Sequence, residues 1–279
     1  LPFTEIWVKT IDGLAWMSNF DTHPAHVDGI GKVEQLAAMY QSQGLTMRPW
    51  VVPHGREAWG ITAADEGALA GKIAARSGGV LLVDLEPHEP APGGGAYYWR
   101  DDLGAAGDEV RAYVAAFLAN GGRELWLVPD ARPGRMPSFA DWWALDQVTR
   151  VMPQVYWTDF RLGYRDALNR AVSTLTNAGV RRVANIWPVL PANATPEDLA
   201  AAIAYVHELG LGGVSVWQRA NLDEDDVAKI AALPDPWASA STPTPPPPAT
   251  TPPSTQESVR SHLVTARAEI DAALAANGG

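Results

Sequence analysis

The chain has 279 residues, and 47% of them are hydrophobic, which excludes disorder over most of its length and allows one large domain or two ordinary ones. Its formal net charge of −11 argues against a nucleic-acid partner, because proteins that bind phosphate backbones carry basic stripes. It contains no cysteine, which excludes disulfides, thiolate catalysis and cysteine-ligated metals, and no apolar run approaches the roughly 20 residues that cross a bilayer.

Strand and helix patterns alternate without a break over residues 1–238. Short apolar runs bounded by turn residues are typical of buried strands, and periodic segments that begin at a cap and end at glycine are typical of helices. The predicted strands are 5–11, 46–52, 80–86, 124–128, 151–157, 182–187 and 213–217. The predicted helices are 27–43, 62–77, 108–120, 138–148, 164–178, 195–210 and 223–232.

This alternation predicts a parallel α/β protein of the (β/α)8 type, a TIM barrel. Seven strands leave such a barrel one strand short, so we expect either an eighth strand before Leu1 or an irregular closure. A doubly wound open sheet is the competing architecture, but no Gly-x-Gly-x-x-Gly loop follows the first strand. We therefore favour the barrel.

The composition changes after the predicted barrel. Residues 239–254 are rich in proline and threonine, which predicts a semi-rigid, extended linker. Residues 255–279 are predicted to form an amphipathic helix, in which apolar residues from Val259 to Ala273 follow heptad spacing. Because an isolated helix of this length is marginal in water, we expect self-association as a coiled coil or docking on a partner, with a frayed tail as the alternative.

The third predicted strand ends in two carboxylates. Side chains alternate along a strand, so Asp84 and Glu86 share one face, just before Pro87 ends the ladder. The active sites of barrels and open α/β sheets are built at this end of the strands. Paired carboxylates suit hydrolysis of a glycosidic bond, with Glu86 as the acid and Asp84 as its ionised partner. The alternative is that both carboxylates cap loops or pair with an arginine.

Polar and aromatic side chains stand at the ends of the other strands, where we expect them to bind the substrate. They are Lys9, Asp12, Trp50, Asp130, Tyr156, Trp157, Asp159, Asn185, Trp187, Trp217 and Gln218. Indole rings suit the apolar C–H faces of sugars, so the tryptophans as a set favour a glycan. For any single tryptophan, filling the top layer of the barrel is the alternative.

No second histidine stands at ligand spacing from His88, so we expect no metal and no cofactor.

Four short motifs follow one another in the order seen in family-25 glycoside hydrolases, the Chalaropsis-type lysozymes. They are Ile6-Trp-Val-Lys-Thr-Ile-Asp-Gly13, Arg48-Pro-Trp-Val-Val-Pro53, Leu82-Val-Asp-Leu-Glu86 and Val214-Ser-Val-Trp-Gln218. The chain resembles these enzymes, and related barrels of bacteria and phages, over roughly residues 5–220. The resemblance implies that Glu86 is the proton donor and that Asp84 is its partner.

The chain departs from the family at its start. Asp12 stands where the family often has glutamate, and no strand carrying the family's further essential aspartate precedes Leu1. Either the start of the barrel is missing from this chain, or the barrel is a relative with altered or lost activity.

Together these observations predict a glycosidase that acts on an amino-sugar-containing polysaccharide such as peptidoglycan. The alternative from another class is a catalytically silent barrel that binds glycan or serves as a structural module of a phage virion or cell envelope. A metal-dependent amidohydrolase is a third possibility, which the scarcity of histidine disfavours. A linker with a terminal helix suits a virion protein or a modular secreted enzyme, so we expect an extracellular or virion-associated location.

Overall fold

The computed structural model describes residues 3–20, 26–55, 61–85, 89–90, 96–97, 99, 106–130, 132, 140–217, 224–233 and 235–238. The predictions for Glu86, Gln218, the linker 239–254 and the helix 255–279 lie outside these ranges. Among the described helices, none is both long and apolar enough to span a membrane.

Most of the strands belong to one mainly parallel sheet. They are β1 (Glu5–Asp12), β2 (Ala15–Trp16), β3 (Thr46–Val52), β4 (Val80–Leu85), β5 (Glu89–Pro90), β6 (Ala96–Tyr97), β7 (Glu124–Pro129), β8 (Val148–Val151), β9 (Val189–Pro191) and β10 (Ser215–Trp217). The sheet order is β2-β1-β3-β4-β7-β8, in which β2 is antiparallel to β1 and the other pairs are parallel. β9 pairs with β10 in parallel, and β5 with β6 in an antiparallel pair.

Helices lie between successive parallel strands, as the alternating pattern predicts. They are α1 (Ile30–Ser42), α2 (Ala63–Ala75), α3 (Ala106–Ala119), α4 (Ala140–Trp143), α5 (Trp157–Phe160), α6 (Tyr164–Asn177), α7 (Pro196–Glu208) and α8 (Glu224–Ala231). The predicted α/β class with a parallel sheet is therefore confirmed.

The predicted strand 182–187 is wrong. Residues Val183–Asn185 form a turn of 3-10 helix, and the strand of this region is β9. Pro188 separates the two, and because proline has no N–H to donate, a regular ladder begins only after it.

The predicted strand 151–157 is displaced towards the amino terminus. β8 begins at Val148, inside the predicted helix 138–148, and ends at Val151. Pro153 interrupts the ladder beyond it, for the same reason as before. Gln154 then restores pairing through isolated bridges to Asp130, which follows β7, and to Val189, which begins β9. These bridges carry the ladder from β8 to β9 and β10.

The two faces of the sheet are seen most clearly on β4. Leu81 and Leu85 pack in a core shared with α2 and α3, whereas Val80 and Leu82 pack on the opposite side. Because alternate residues of a strand share a face, Asp84 belongs to the side of Val80 and Leu82. We call this side the inner face. It is formed by Val80, Leu82, Trp126, Val128, Met152 and Val189, against which Trp7, Trp50, Tyr156, Trp187 and Trp217 pack.

The sheet curls around the inner face. Trp50 of β3 and Trp217 of β10 lie in an edge arrangement, with ring centroids 5.4 Å apart. These strands stand near opposite ends of the ladder, so the curvature brings its two ends together through side chains. Within the described ranges, no ladder pairs β10 with β1. Closure of the barrel therefore stays a prediction.

Candidate functional site

Asp84 lies on the inner face near the carboxyl end of β4. It is half-buried and pairs in register with Val128 of β7. Its Oδ1 accepts a hydrogen bond of 2.9 Å from Nε2 of Gln154. Gln154 is 9% exposed and is bridged through its backbone to Asp130 and Val189, so the ladder fixes the amide that orients Asp84. One oriented carboxylate thus stands at the edge where the parallel strands end.

Asp130 follows β7 on the same edge, but its contacts are different. It is 2% exposed, and Arg132 Nε donates to both of its oxygens, at 3.0 and 2.9 Å. The guanidinium of Arg132 also lies 5.5 Å from the ring centroid of Phe160, whose ring lies 6.2 Å from that of Tyr156. Arg132 therefore joins the end of β7 to α5.

Charged groups surround Asp12 at the end of β1. Lys9 Nζ donates to Asp12 Oδ2 at 2.9 Å, and His54 Nε2 forms a hydrogen bond of 2.7 Å with Asp12 Oδ1. Burial raises the pKa of Asp12, but the hydrogen bond with His54 and the charge and hydrogen bond of Lys9 outweigh it, so the net pKa lies below its ordinary value. Asp12 is therefore ionised at neutral pH, with both oxygens occupied.

Two partly exposed indoles stand beside this charged group. Lys9 Nζ lies 5.0 Å from the ring centroid of Trp50, and Trp50 contacts Trp217 edge-on at 5.4 Å. Aromatic faces next to a few fixed polar groups are the lining that small-molecule sites use. This combination also suits a sugar ring, which is apolar on its C–H faces and polar at its rim.

Glu66 is a buried carboxylate behind the same edge. Thr62 begins α2 with a capping box that includes Asp65, and this fixes the first turn, in which Glu66 lies. Glu66 is 2% exposed, and its Oε2 accepts the backbone N–H groups of Gly55 at 2.9 Å and His54 at 3.0 Å. Burial raises the pKa of Glu66, and these N–H donors only partly offset the rise.

The structure does not bring Trp157 to the inner face. Its ring is 5% exposed and packs edge-on against Tyr164, at 6.2 Å, in the core between the sheet and its helices. Asp159 is exposed on the same short helix, α5. Of the tryptophans expected to bind the substrate, Trp157 therefore lies away from the inner face, whereas Trp50 and Trp217 contact each other on it.

Trp187 and Asn185 lie towards the amino ends of the strands. The Arg150 guanidinium is sandwiched between Trp187 and Trp126, 3.8 Å from each ring centroid. Trp126 pairs with Leu82, one pleat before Asp84, so the stack fills the inner face on the amino side of the carboxylate. Asn185 ends the 3-10 turn that precedes β9.

Sequence reasoning missed Gln154 and Glu66. Gln154 stands two residues before Tyr156, so the alternation that placed Tyr156 at the site also indicates Gln154. Glu66 lies three residues after Ala63 and four before Ala70, which is the spacing of the buried stripe of α2. That spacing indicates that Glu66 is buried. The reason for a charged residue there is found only in the structure, where Glu66 accepts N–H groups from the loop after β3.

No family model and no curated protein matches the sequence. Solved structures match it in fold. Two structures of the GH18 chitinase from Cycas revoluta, in complex with (GlcNAc)3 and with allosamidin, give a TM-score of 0.55 at 11% identity, covering 83% of this chain and 91% of theirs. A chitinase from Rhizomucor miehei gives a TM-score of 0.53 at 10% identity, covering 82% of this chain and 99% of that one.

The chain shares with these structures an α/β fold in which helices lie between parallel strands. At such low identity the likeness concerns the fold alone. It does not support family 25 in particular, because the similar structures include a family-18 enzyme. The family-25 resemblance therefore remains one of short motifs.

Proposed function

We propose that the protein is a glycoside hydrolase that cleaves an amino-sugar-containing polysaccharide, such as chitin or peptidoglycan. The observation that carries the proposal is the position of Asp84, an oriented, half-buried carboxylate at the carboxyl edge of a parallel sheet. In barrels this edge is where catalytic groups stand. The chitinases that share the fold, one of them in complex with (GlcNAc)3, support an amino sugar as the substrate.

The proposed chemistry needs two carboxyl groups. Glu86, two residues beyond Asp84 and on the same strand face by sequence, donates its proton to the glycosidic oxygen as the C–O bond breaks. Asp84 remains ionised and supports the positive charge that develops on the sugar. Water supplies the hydroxyl group of the new reducing end, and its proton returns to Glu86. Gln154 holds Asp84 in the orientation that this role requires.

The indoles account for substrate binding in this proposal. Trp50 and Trp217 offer apolar surface to the C–H faces of the sugar, and the Lys9–Asp12 pair offers charged groups to its hydroxyls. Peptidoglycan and chitin both contain N-acetylglucosamine, so this binding mode suits either polymer.

A catalytically silent, glycan-binding barrel is the second candidate. Two of the carboxylates predicted at the site already pair with a cation, because Asp130 is bound by Arg132 and Asp12 by Lys9. A module that only holds glycan could use such a face without any proton transfer.

Hydrolysis by variants tests the proposal. Wild-type protein should release reducing ends from N-acetylglucosamine oligomers or from peptidoglycan. Glu86→Gln and Asp84→Asn should each lower the rate by roughly 10²–10⁴-fold, the usual range for loss of acid–base catalysis. Glu34→Gln, which removes an exposed carboxylate on α1, is the control and should leave the rate unchanged. Binding of these glycans without any release of reducing ends would favour the silent barrel.

A further inference from the structure

Glu66 is a charged residue on the buried stripe of α2. Its neighbours on that stripe are apolar, including Ala63, Ala70 and Ile73. Burying an ionisable carboxylate is costly unless its oxygens are hydrogen-bonded. Alanine would pack in this position without that cost, so the packing of α2 does not explain the carboxylate.

The contacts of Glu66 lie at the end of β3. Its Oε2 accepts N–H groups from both Gly55 and His54, and its Oε1 lies 3.2 Å from the His54 nitrogen. Gly55 has φ +73°, and a Cβ there would lie 2.6 Å from the ring of Trp99, so the turn is tightly constrained. Glu66 thus fixes the backbone from which the His54 side chain projects.

A continuous series of contacts leads from that histidine to the indoles. His54 Nε2 bonds Asp12 Oδ1 at 2.7 Å, and Asp12 Oδ2 bonds Lys9 Nζ at 2.9 Å. Lys9 lies 5.0 Å from the centroid of Trp50, which contacts Trp217 at 5.4 Å. Both oxygens of Asp12 are used, so a shift of His54 must move Asp12 or break one of its bonds.

We propose that Glu66 is a positioning residue, which acts through His54, Asp12 and Lys9 to fix the Trp50–Trp217 pair for substrate binding. Glu66 touches neither indole and takes no part in bond breaking. Its role in substrate binding rests on the proposed function, because the indoles are the proposed sugar-binding surface. Its role in placing the indoles does not.

Two substitutions at the same position test this role by kinetics. Glu66→Leu removes both acceptors and should raise KM for N-acetylglucosamine oligomers by about ten-fold or more, with a smaller change in kcat, because misplaced binding groups cost up to about a hundred-fold. Glu66→Gln keeps an oxygen for the Gly55 and His54 N–H groups and should restore KM to within about three-fold of wild type.

A control separates positioning from stability. Ala70→Gly weakens the same helix without touching the loop after β3, and it should lower Tm while leaving KM unchanged. If Glu66→Leu lowers Tm and leaves KM unchanged as Ala70→Gly does, Glu66 is merely structural and the proposal is overturned. If Glu66→Leu does not fold, His54→Ala cuts the series one step later and should raise KM in the same way; an unchanged KM there also overturns it.

An NMR measurement made without substrate distinguishes failure of the positioning role of Glu66 from failure of the proposed hydrolase function. The indole N–H resonances of Trp50 and Trp217 can be assigned in two-dimensional NMR spectra with Trp50→Phe and Trp217→Phe. Glu66→Leu should shift both resonances, and Ala70→Gly should shift neither, whether or not the protein hydrolyses any glycan. Unmoved resonances in Glu66→Leu would overturn the positioning role even in an active enzyme.

Discussion

Asp84 and Asp130 stand at the same edge of the sheet but meet partners of different charge. Asp84 receives the neutral amide of Gln154, whereas Asp130 receives the guanidinium of Arg132. Asp130 is buried, so loss of its half-exposed guanidinium partner would leave an uncompensated buried charge, and Asp130 is held as a structural anion. The amide of Gln154 orients Asp84 and brings no charge of its own, as the proposed support of a developing cation requires.

Gln154→Leu tests whether that orientation matters. The substitution removes the N–H donor and keeps a side chain of similar size at a buried position. Since a hydrogen bond to a charged group contributes about 1.5–3 kcal/mol, we expect kcat/KM for N-acetylglucosamine oligomers to fall by about ten-fold or more. Circular dichroism should show an intact fold. An unchanged kcat/KM would mean that Gln154 does not orient the reactive carboxylate.

Asp12 provides a prediction about pH. Its folded pKa lies below the ordinary value, so its contribution to stability is full above the unfolded pKa of about 3.9 and is lost as the pH falls through the folded pKa. At pH 7 we therefore expect Asp12→Asn to be less stable than wild type by about 1 kcal/mol, the scale of a partly exposed ion pair. Urea titrations should show this difference shrinking towards pH 3. A constant difference would show that Asp12 gains nothing from Lys9 and His54.

Tyr113 offers a gain in stability. Its hydroxyl is fully buried and has no hydrogen-bond partner in the described part of the chain, and burial, followed by the charge of Glu66, raises its pKa well above the ordinary value. Because a buried unpaired hydroxyl costs about 1–3 kcal/mol, Tyr113→Phe should raise the free energy of unfolding by about 1 kcal/mol. Thermal denaturation measures this change. A drop in Tm would show that the hydroxyl has a partner, such as an internal water.

At the level of elements, α2 and α3 approach each other closely because α2 carries glycines on the facing side. A Cβ at Gly67 would lie 2.1 Å from the backbone oxygen of Tyr113, and one at Gly71 would lie 2.3 Å from that of Phe117. The position of Glu66 depends on this approach, since it is the residue before Gly67. The close packing of α2 and α3 therefore fixes Glu66, and Glu66 in turn fixes His54 and Gly55 in the loop after β3.

Gly67→Ala should therefore destabilise the protein. Alanine is favoured over glycine in a helix by about 1 kcal/mol, but the forced separation of α2 and α3 should cost more, for a net loss of about 1–3 kcal/mol in the free energy of unfolding. Gly31→Ala is the matched control, because a Cβ at Gly31 of α1 meets nothing within 4 Å, and it should stabilise by up to about 1 kcal/mol. Similar effects from both substitutions would contradict the close packing of the two helices.

The order of elements follows from local sequence, and their exact pairing does not. The apolar run before Asp84 and the Thr62 cap are local signals, and both elements formed as predicted. Residues 182–187 are also predicted to be a strand, yet the strand forms after Pro188, where it pairs with β10 and is bridged to Gln154. Those partners are distant in sequence, and no local pattern names them.

At the scale of the whole molecule, the curled sheet collects groups from strands that are far apart in the chain. The contacts Gln154–Asp84, His54–Asp12 and Trp50–Trp217 each join different strands or loops. Strand periodicity could predict that Asp84, Asp12 and the indoles face one edge. It could not predict that Arg132 forms an ion pair with Asp130, or that Trp157 packs in the core between the sheet and its helices. Both depend on the conformation of residues that follow the strands.

The tail remains a prediction at this scale. The linker 239–254 and the helix 255–279 should add a tether and a self-associating or docking segment to the barrel.

Hydrolysis in oxygen-18-labelled water is the sharpest test of whether the protein cleaves glycosidic bonds. The purified protein is incubated with N-acetylglucosamine oligomers, and separately with peptidoglycan, and the products are weighed by mass spectrometry. A glycoside hydrolase that uses Glu86 and Asp84 should give shorter sugars with one labelled oxygen at each new reducing end, and Glu86→Gln should form them at least about a hundred-fold more slowly. Oligomers and peptidoglycan that remain uncleaved by the wild-type protein would overturn the proposed hydrolase activity.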